Sequence, residues 1–361
     1  MCPVEAAPNP EMEGSLLPRK PHRFLRFLFW FVVVVVALEI GLRPFGYGHY
    51  VLYRPDERML WLPLPIHGVT EAGHKAITIS PDGFRYKEKL EPKKDGQVRI
   101  FDFGDSVTMG WGVDDDSTFS ADLERMLNSS CPKHQFQVVN AGVNAYPNSL
   151  VLERMKKVID DNYQPDIAVY DYSGNTAMEG LVDKQGADRE KFLGRVRWKG
   201  WVRRSAIYNF FIEDLLRYVV YYRLKHLLVA GSLDTGQAKQ ELDVDKFNAR
   251  MNDAFKYCQA HNVKMIMLVT GTRDERALDH PFQQAMLDFG REHNLPVVNM
   301  IDTWKSMDQG QLFQDHGHPT PLGHDTIAKQ LFTTISGIDS YCSQGSPLTV
   351  SQQSASKAAG N

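Results

Sequence analysis

Val98-Arg99-Ile100-Phe101-Asp102-Phe103-Gly104-Asp105-Ser106 is the stretch from which the fold is read. A short apolar run leads into a Gly-Asp-Ser turn, the pattern of a buried strand handing over to a helix with a serine at the junction. Far along the chain, Asp315-His316-Gly317-His318-Pro319 supplies a histidine with a carboxylate three residues before it. A serine hydroxyl is a poor nucleophile until a base accepts its proton, and that base needs a third group to fix its tautomer and stabilise the imidazolium. Ser106, His318 and Asp315 can fill those roles. Taken singly, the first segment also reads as a helix N-cap and the second as a surface loop, so the weight falls on their surroundings.

Working outward, the apolar run from Phe136 to Val139 closes in Asn140-Ala141-Gly142, and that from Ile167 to Tyr172 closes in Ser173-Gly174-Asn175. Further runs span Met265 to Val269 and Pro296 to Met300. Helical patterns lie between them, near residues 117–128, 148–161, 243–261 and 280–293, with a last one near 320–336. This alternation argues for a central parallel sheet of about five strands with helices on both faces, and for a site at the carboxyl ends of the strands. Ser106, Gly142 and Asn175 all fall there.

Four blocks in this order and context resemble the SGNH/GDSL hydrolase family, in its bacterial, N-terminally membrane-anchored type. The matching positions are Ser106, Gly142, Asn175 and His318, with Asp315 in the family's Asp-x-x-His arrangement. The resemblance covers approximately residues 98–337. It implies a flavodoxin-like three-layer α/β/α sandwich and a serine esterase. One departure is Thr176 after Asn175, where many relatives carry Asp; the amide of Asn175 is the working group, so little turns on it.

The chemistry explains these residue types. Attack of Ser106 on an ester carbonyl builds negative charge on oxygen, and each preorganised donor aimed at it can be worth about 3 to 4 kcal/mol. The resemblance assigns that oxyanion hole to the backbone N–H groups of Ser106 and Gly142 and the amide of Asn175; glycine suits a close backbone approach. His318 takes the serine proton and Asp315 orients the ring. His316 has the wrong spacing for the base and reads as a polar loop residue, and His324, leading into the last helix, as a packing or capping residue. Asp105 beside the serine, and Arg203 and Arg204 further on, are candidate substrate contacts. No set of His, Cys, Asp and Glu has convincing metal-ligand spacing, so neither a metal nor another cofactor is expected.

The chain has 361 residues, 43% of them hydrophobic, and a net charge of -3. That is enough to bury a sizeable core and leaves no nucleic-acid footprint. Cys2, Cys131, Cys258 and Cys342 form no framework and identify no redox compartment, and a bond between Cys131 and Cys342 is left open.

Near the N-terminus, Arg19, Lys20, Arg23 and Arg26 precede an uncharged run from Phe27 to Leu38 that holds five consecutive valines. Such charge placement keeps the leader cytoplasmic and sends the remainder across a membrane. The uncharged run is short for a span, but it lengthens to residues 24–43 if Arg26 and Glu39 snorkel to the interfaces. A signal peptide is opposed by the lack of a small-x-small site after the run. A buried helix of a soluble protein is opposed by the valines beside a basic leader.

The resulting organisation is a basic leader (1–23), an anchor (24–43), a proline-rich lead-in with short strands (44–95), a catalytic domain (96–340) and a disordered tail (341–361) poor in apolar side chains. In the lead-in, Gly83-Phe84-Arg85 follows a short strand and reads as structural. A helical insert over 180–240 interrupts the domain. Its Arg195, Arg197, Lys199, Arg203 and Arg204 interleave with Trp198 and Trp201, a solvated edge or a lid facing lipid or polysaccharide. The leading expectation is an inner-membrane, single-pass esterase with an extracytoplasmic domain, acting on acyl or acetyl esters of an envelope glycan or lipid beside polysaccharide machinery. The alternatives are an O-acyltransferase using the same triad and a catalytically silent scaffold.

Overall fold

The structure, a computed structural model, describes residues 21–171, 175, 178–216, 243–273, 281–338 and 341–342. The leader before residue 21, the tail after 342 and the insert over 217–240 lie outside the described residues. A first helix, α1 (Pro21–Leu42), leaves the rest of the molecule almost untouched, and its apolar side chains are exposed. The lead-in folds as two antiparallel hairpins, β1 (Tyr53–Asp56) with β2 (Leu60–Pro63) and β3 (Ile66–Val69) with β4 (Ala76–Ile79).

The central sheet is built from β5 (Gln97–Phe103), β6 (Gln135–Asn140), β7 (Ile167–Asp171), β8 (Lys264–Val269) and β9 (Val297–Asn299). All pairings are parallel, in the spatial order β6-β5-β7-β8-β9. This is the doubly wound order in which the chain reverses direction across the sheet between β5 and β7. Since successive strand residues face opposite sides, the sheet feeds two cores. Phe101, Phe103, Tyr170 and Met267 point to one, with α4 (Asn148–Asp160), α8 (Val244–Ala260) and α9 (Pro281–Glu292). Ile100, Val138, Val169 and Leu268 point to the other, with α3 (Phe119–Ser130) and the last long helix, Pro321–Ser336. Three layers result, as the alternation of runs predicts.

The described part of the insert is helical: α5 (Glu179–Val182), α6 (Gly186–Val202), the short α7 (Ala206–Tyr208) and a π-helix, Asn209–Leu216. Helix α6 lies on β1, where a Cβ at Gly200 would come within 2.8 Å of the Tyr53 carbonyl oxygen. Cys131, at the end of α3, is disulfide-bonded to Cys342.

Candidate active site

Ser106 opens the four-residue helix α2 (Ser106–Met109) directly after β5. Asp105 caps it, its Oδ1 accepting from the Val107 N–H at 2.8 Å. The turn is tight: a Cβ on Gly104 would meet Thr108 Oγ1 at 2.0 Å, so only glycine lets the strand end lie against the helix. The N–H groups of a first helical turn have no intrahelical acceptor. The Ser106 N–H is therefore turned to the space over the strand end.

His318 arrives from the loop before the last helix. Its Nε2 lies 2.9 Å from Ser106 Oγ, while Nδ1 lies 2.8 Å from Asp315 Oδ2 and 3.0 Å from Oδ1. Asp315 Oδ1 also accepts from the backbone N–H of Gly317 and of His318, at 2.9 and 2.8 Å. Burial alone would raise the Asp315 pKa, but its bonds from the His318 ring and these two amides outweigh it and hold the group down at about 2. A carboxylate ionised throughout the neutral range fixes Nδ1 as the protonated nitrogen and leaves Nε2 to face the serine. The Trp111 ring covers His318 with a centroid separation of 4.3 Å. The backbone N–H of Trp111 donates to the Ser106 carbonyl at 3.0 Å, and its indole N–H to Glu71 Oε2 at 3.2 Å.

Asn175, after β7, donates from Nδ2 to Asp105 Oδ2 at 2.6 Å and more weakly to the Tyr146 carbonyl at 3.4 Å. Asp105 therefore caps the serine helix with one oxygen and holds the Asn175 amide with the other. Gly142 packs against the same turn, where a Cβ would meet the Met109 nitrogen at 2.4 Å. Its N–H departs from the sequence expectation of a free donor, since it bonds Asn140 Oδ1 at 3.0 Å in an Asx turn.

Behind the serine, Arg85 of Gly83-Phe84-Arg85 is buried. Its guanidinium donates to the carbonyls of Met109, Gly110 and Val113 at 2.7, 2.7 and 2.8 Å and to Asp115 at 2.9 Å. One side chain thus closes the loop that follows Ser106. The sequence reading assigned this motif a structural role; its proximity to the nucleophile is visible only in the fold. Strands β5 and β7 themselves carry two fully buried carboxylates, Asp102 and Asp171. Burial pushes Asp102 up to about 7, against a smaller opposing pull from the Ser120 hydroxyl. Burial, and then the charge of Asp105, pushes Asp171 well above the ordinary range, although Thr108 and Thr270 donate to it at 2.7 and 2.8 Å.

The other sequence candidates lie apart from the reacting atoms. His324 is buried and its Nδ1 accepts from the Phe119 N–H at 3.3 Å, capping α3; burial lowers its pKa to about 3. His316 is exposed. Arg203 is buried between Glu71 and Glu213, bonded to both, and so its charge is matched inside the protein. The Arg204 side chain is exposed, and its carbonyl accepts from Arg43 at 3.2 Å. Among the described residues, no three His, Cys, Asp or Glu side chains are grouped to hold a metal ion. A cavity of about 1480 Å³ opens above Ser106 and His318, walled by the insert and by aromatic side chains including Trp61, Trp111, Phe192 and Phe210.

Residues 103–326 match the profile of the GDSL-like lipase/acylhydrolase family. Among solved structures, the chain is similar to Axe2, an acetylxylan esterase from Geobacillus stearothermophilus. The identity is 14%, covering 70% of this chain and 100% of that one, with a TM-score of 0.42. A member of the lipolytic protein G-D-S-L family from Veillonella parvula is similar at 12% identity, over 67% of this chain and 100% of that one, also with a TM-score of 0.42. No curated protein matches.

Proposed function

The chain belongs to the GDSL-like lipase/acylhydrolase family and is a hydrolase acting on ester bonds, and from that premise we propose that Ser106, His318 and Asp315 are its catalytic triad. The observation that carries this reading is the continuous path from Ser106 Oγ through His318 to Asp315, at 2.9 and 2.8 Å. Ser106 Oγ attacks the ester carbonyl while His318 Nε2 takes its proton. The tetrahedral intermediate collapses, the C–O bond to the alcohol breaks, and the imidazolium returns the proton to the leaving alcohol. Water, deprotonated by His318, then resolves the acyl-serine. The oxyanion is held by the Ser106 N–H and the Asn175 amide, the latter aimed by Asp105. Gly142 joins them if its N–H swings from Asn140 toward the charge.

The substrate is an acyl or acetyl ester of an envelope glycan or lipid, met from a single anchor over residues 24–43. A helix of 22 residues is about 33 Å long, enough for a hydrocarbon core of about 30 Å. Its exposed Phe, Val and Trp side chains, with Arg23 and Arg26 at the leading end, support insertion with the leader inside. The Cys131–Cys342 disulfide supports an oxidising compartment for the catalytic domain. The same proposal divides the chain into leader 1–23, anchor 24–43, lead-in 44–95 and catalytic domain 96–340, with the insert over 180–240.

The test is hydrolysis of a p-nitrophenyl ester series, acetate to octanoate, by the protein and by its Ser106→Ala variant. Turnover that depends on Ser106 is expected, and its fall with chain length measures the acyl pocket. Equal rates for the two proteins would contradict the proposal.

A further inference from the structure

We propose that the face formed by α6 and the π-helix lies in the membrane interface and opens the cavity over Ser106 to the bilayer, so that the ester cleaved is an acyl ester of an anionic phospholipid. This rests on the hydrolase and anchor readings above. It begins with Glu39, one turn before the end of α1. Its carboxylate accepts from Ser205 Oγ at 2.9 Å and from the N–H groups of Ala206 and Ile207 at 2.9 and 3.2 Å. Arg43 pairs with Glu39 at 2.8 Å and donates to the Arg204 carbonyl at 3.2 Å. A carboxylate near the end of a spanning helix sits at headgroup depth. The segment it grips, residues 204–207, is therefore held at that depth too.

The exposed side chains around this junction suit an interface. Trp198 and Trp201 are 61% and 70% exposed. Three residues apart, they share one face of α6, and Trp201 stands one turn before Arg204. Phe45, just beyond α1, is 68% exposed, and Phe211 of the π-helix 41%. Amphipathic rings beside basic residues are the composition that settles between headgroups and acyl chains. In water the same cluster would be an uncompensated apolar patch.

The cavity reaches this face. Ile212 and Leu215 are exposed and also line its wall, which marks a mouth. From there the lining continues inward through Phe192, whose ring lies 5.8 Å from Trp61, and Trp61 lies 5.1 Å from Tyr146. The Tyr146 carbonyl touches Asn175. Ile212, Leu215, Phe192 and Trp61 thus line one cavity with Ser106, and its volume of about 1480 Å³ has room for an acyl chain. Arg195 and Lys199, one turn apart on α6, stand on the same wall and suit a lipid phosphate. In the reaction, Ser106 Oγ bonds to the acyl carbon and the C–O bond to the glycerol breaks. The lysolipid leaves with the proton from His318, and water releases the fatty acid.

The experiment places the full-length protein in phosphatidylglycerol vesicles and measures two activities side by side, fatty-acid release and hydrolysis of soluble p-nitrophenyl acetate. The wild type should perform both. The double variant Trp201→Ser/Phe211→Ser should lose about tenfold of lipid turnover while its p-nitrophenyl acetate rate stays within about twofold. If that variant loses both together it has failed to fold, and Trp198→Ser, at an exposed ring of the same face, decides in its place by the same two readouts. Cleavage of the soluble ester with the lipid untouched, or unchanged lipid turnover in a folded variant, would overturn the proposal. Deacetylation of an acetylated glycan with no lipid turnover would overturn it in favour of a polysaccharide. Inactivity of the wild type toward both soluble and vesicle esters would instead overturn the hydrolase reading beneath it.

Discussion

In the proposed reaction the proton that leaves Ser106 has a direct acceptor in His318 Nε2, 2.9 Å away, and the tautomer that can accept it depends on Asp315. Asp315→Asn should lower kcat by roughly 10⁴-fold while the fold persists, because an amide no longer specifies the protonated nitrogen; a pH–rate profile and a melting curve check both halves. Asn175→Ala should cost about 10²- to 10³-fold in kcat with little change in KM. Asp102 gives a test independent of activity. In the unfolded chain its carboxyl titrates near 3.9; folded, burial pushes it up to about 7. Between those values the unfolded state has released a proton that the folded state keeps. This group therefore costs stability as pH rises, about 1.4 kcal/mol per unit, and the loss levels off above pH 7. Urea denaturation should show the advantage of Asp102→Asn over wild type widening from pH 5 to pH 8. The grouping of Ser106, His318 and Asp315 was legible because the chemistry proposed for them fixes type and spacing. Arg85 and the double duty of Asp105 were not, because a guanidinium reaching across a loop leaves no periodic trace in sequence.

Among the elements, the strands of the sheet were the most readable. β5, β7 and β8 are covered on both faces and so appear as predominantly apolar runs, within about a residue of their observed ends. The order β6-β5-β7-β8-β9 is what brings the residue after β5 and the residue after β7 together, since ligands gather where the winding reverses. Gly104→Ala should break that geometry: the added methyl meets Thr108 Oγ1 at 2.0 Å. A loss of both activity and stability is expected, visible as a lowered Tm and a rate near that of Ser106→Ala. The lead-in hairpins were read only in outline, their strands being four residues each, too short for period-two patterning to stand out. The insert was recognised as helical, but the contact of α7 with α1 was not, because that contact depends on Glu39 meeting residues 166 to 168 positions away.

At the scale of the whole molecule, an exposed apolar helix precedes a disulfide-closed α/β domain with a cavity over Ser106. Cys131 and Cys342 close a loop of 211 residues, so Cys131→Ser should cost about 2 to 5 kcal/mol of stability, measured by denaturation with and without reductant. The full chain should stay with membranes through alkaline carbonate extraction, as a spanning helix does and a surface-bound one does not. Whether Ser106 is an activated nucleophile is read by labelling with a fluorophosphonate and locating the adduct by peptide mass spectrometry. One adduct is expected, on Ser106, absent in Ser106→Ala and formed far more slowly in His318→Ala. Labelling at another residue, or undiminished labelling in Ser106→Ala, would contradict it.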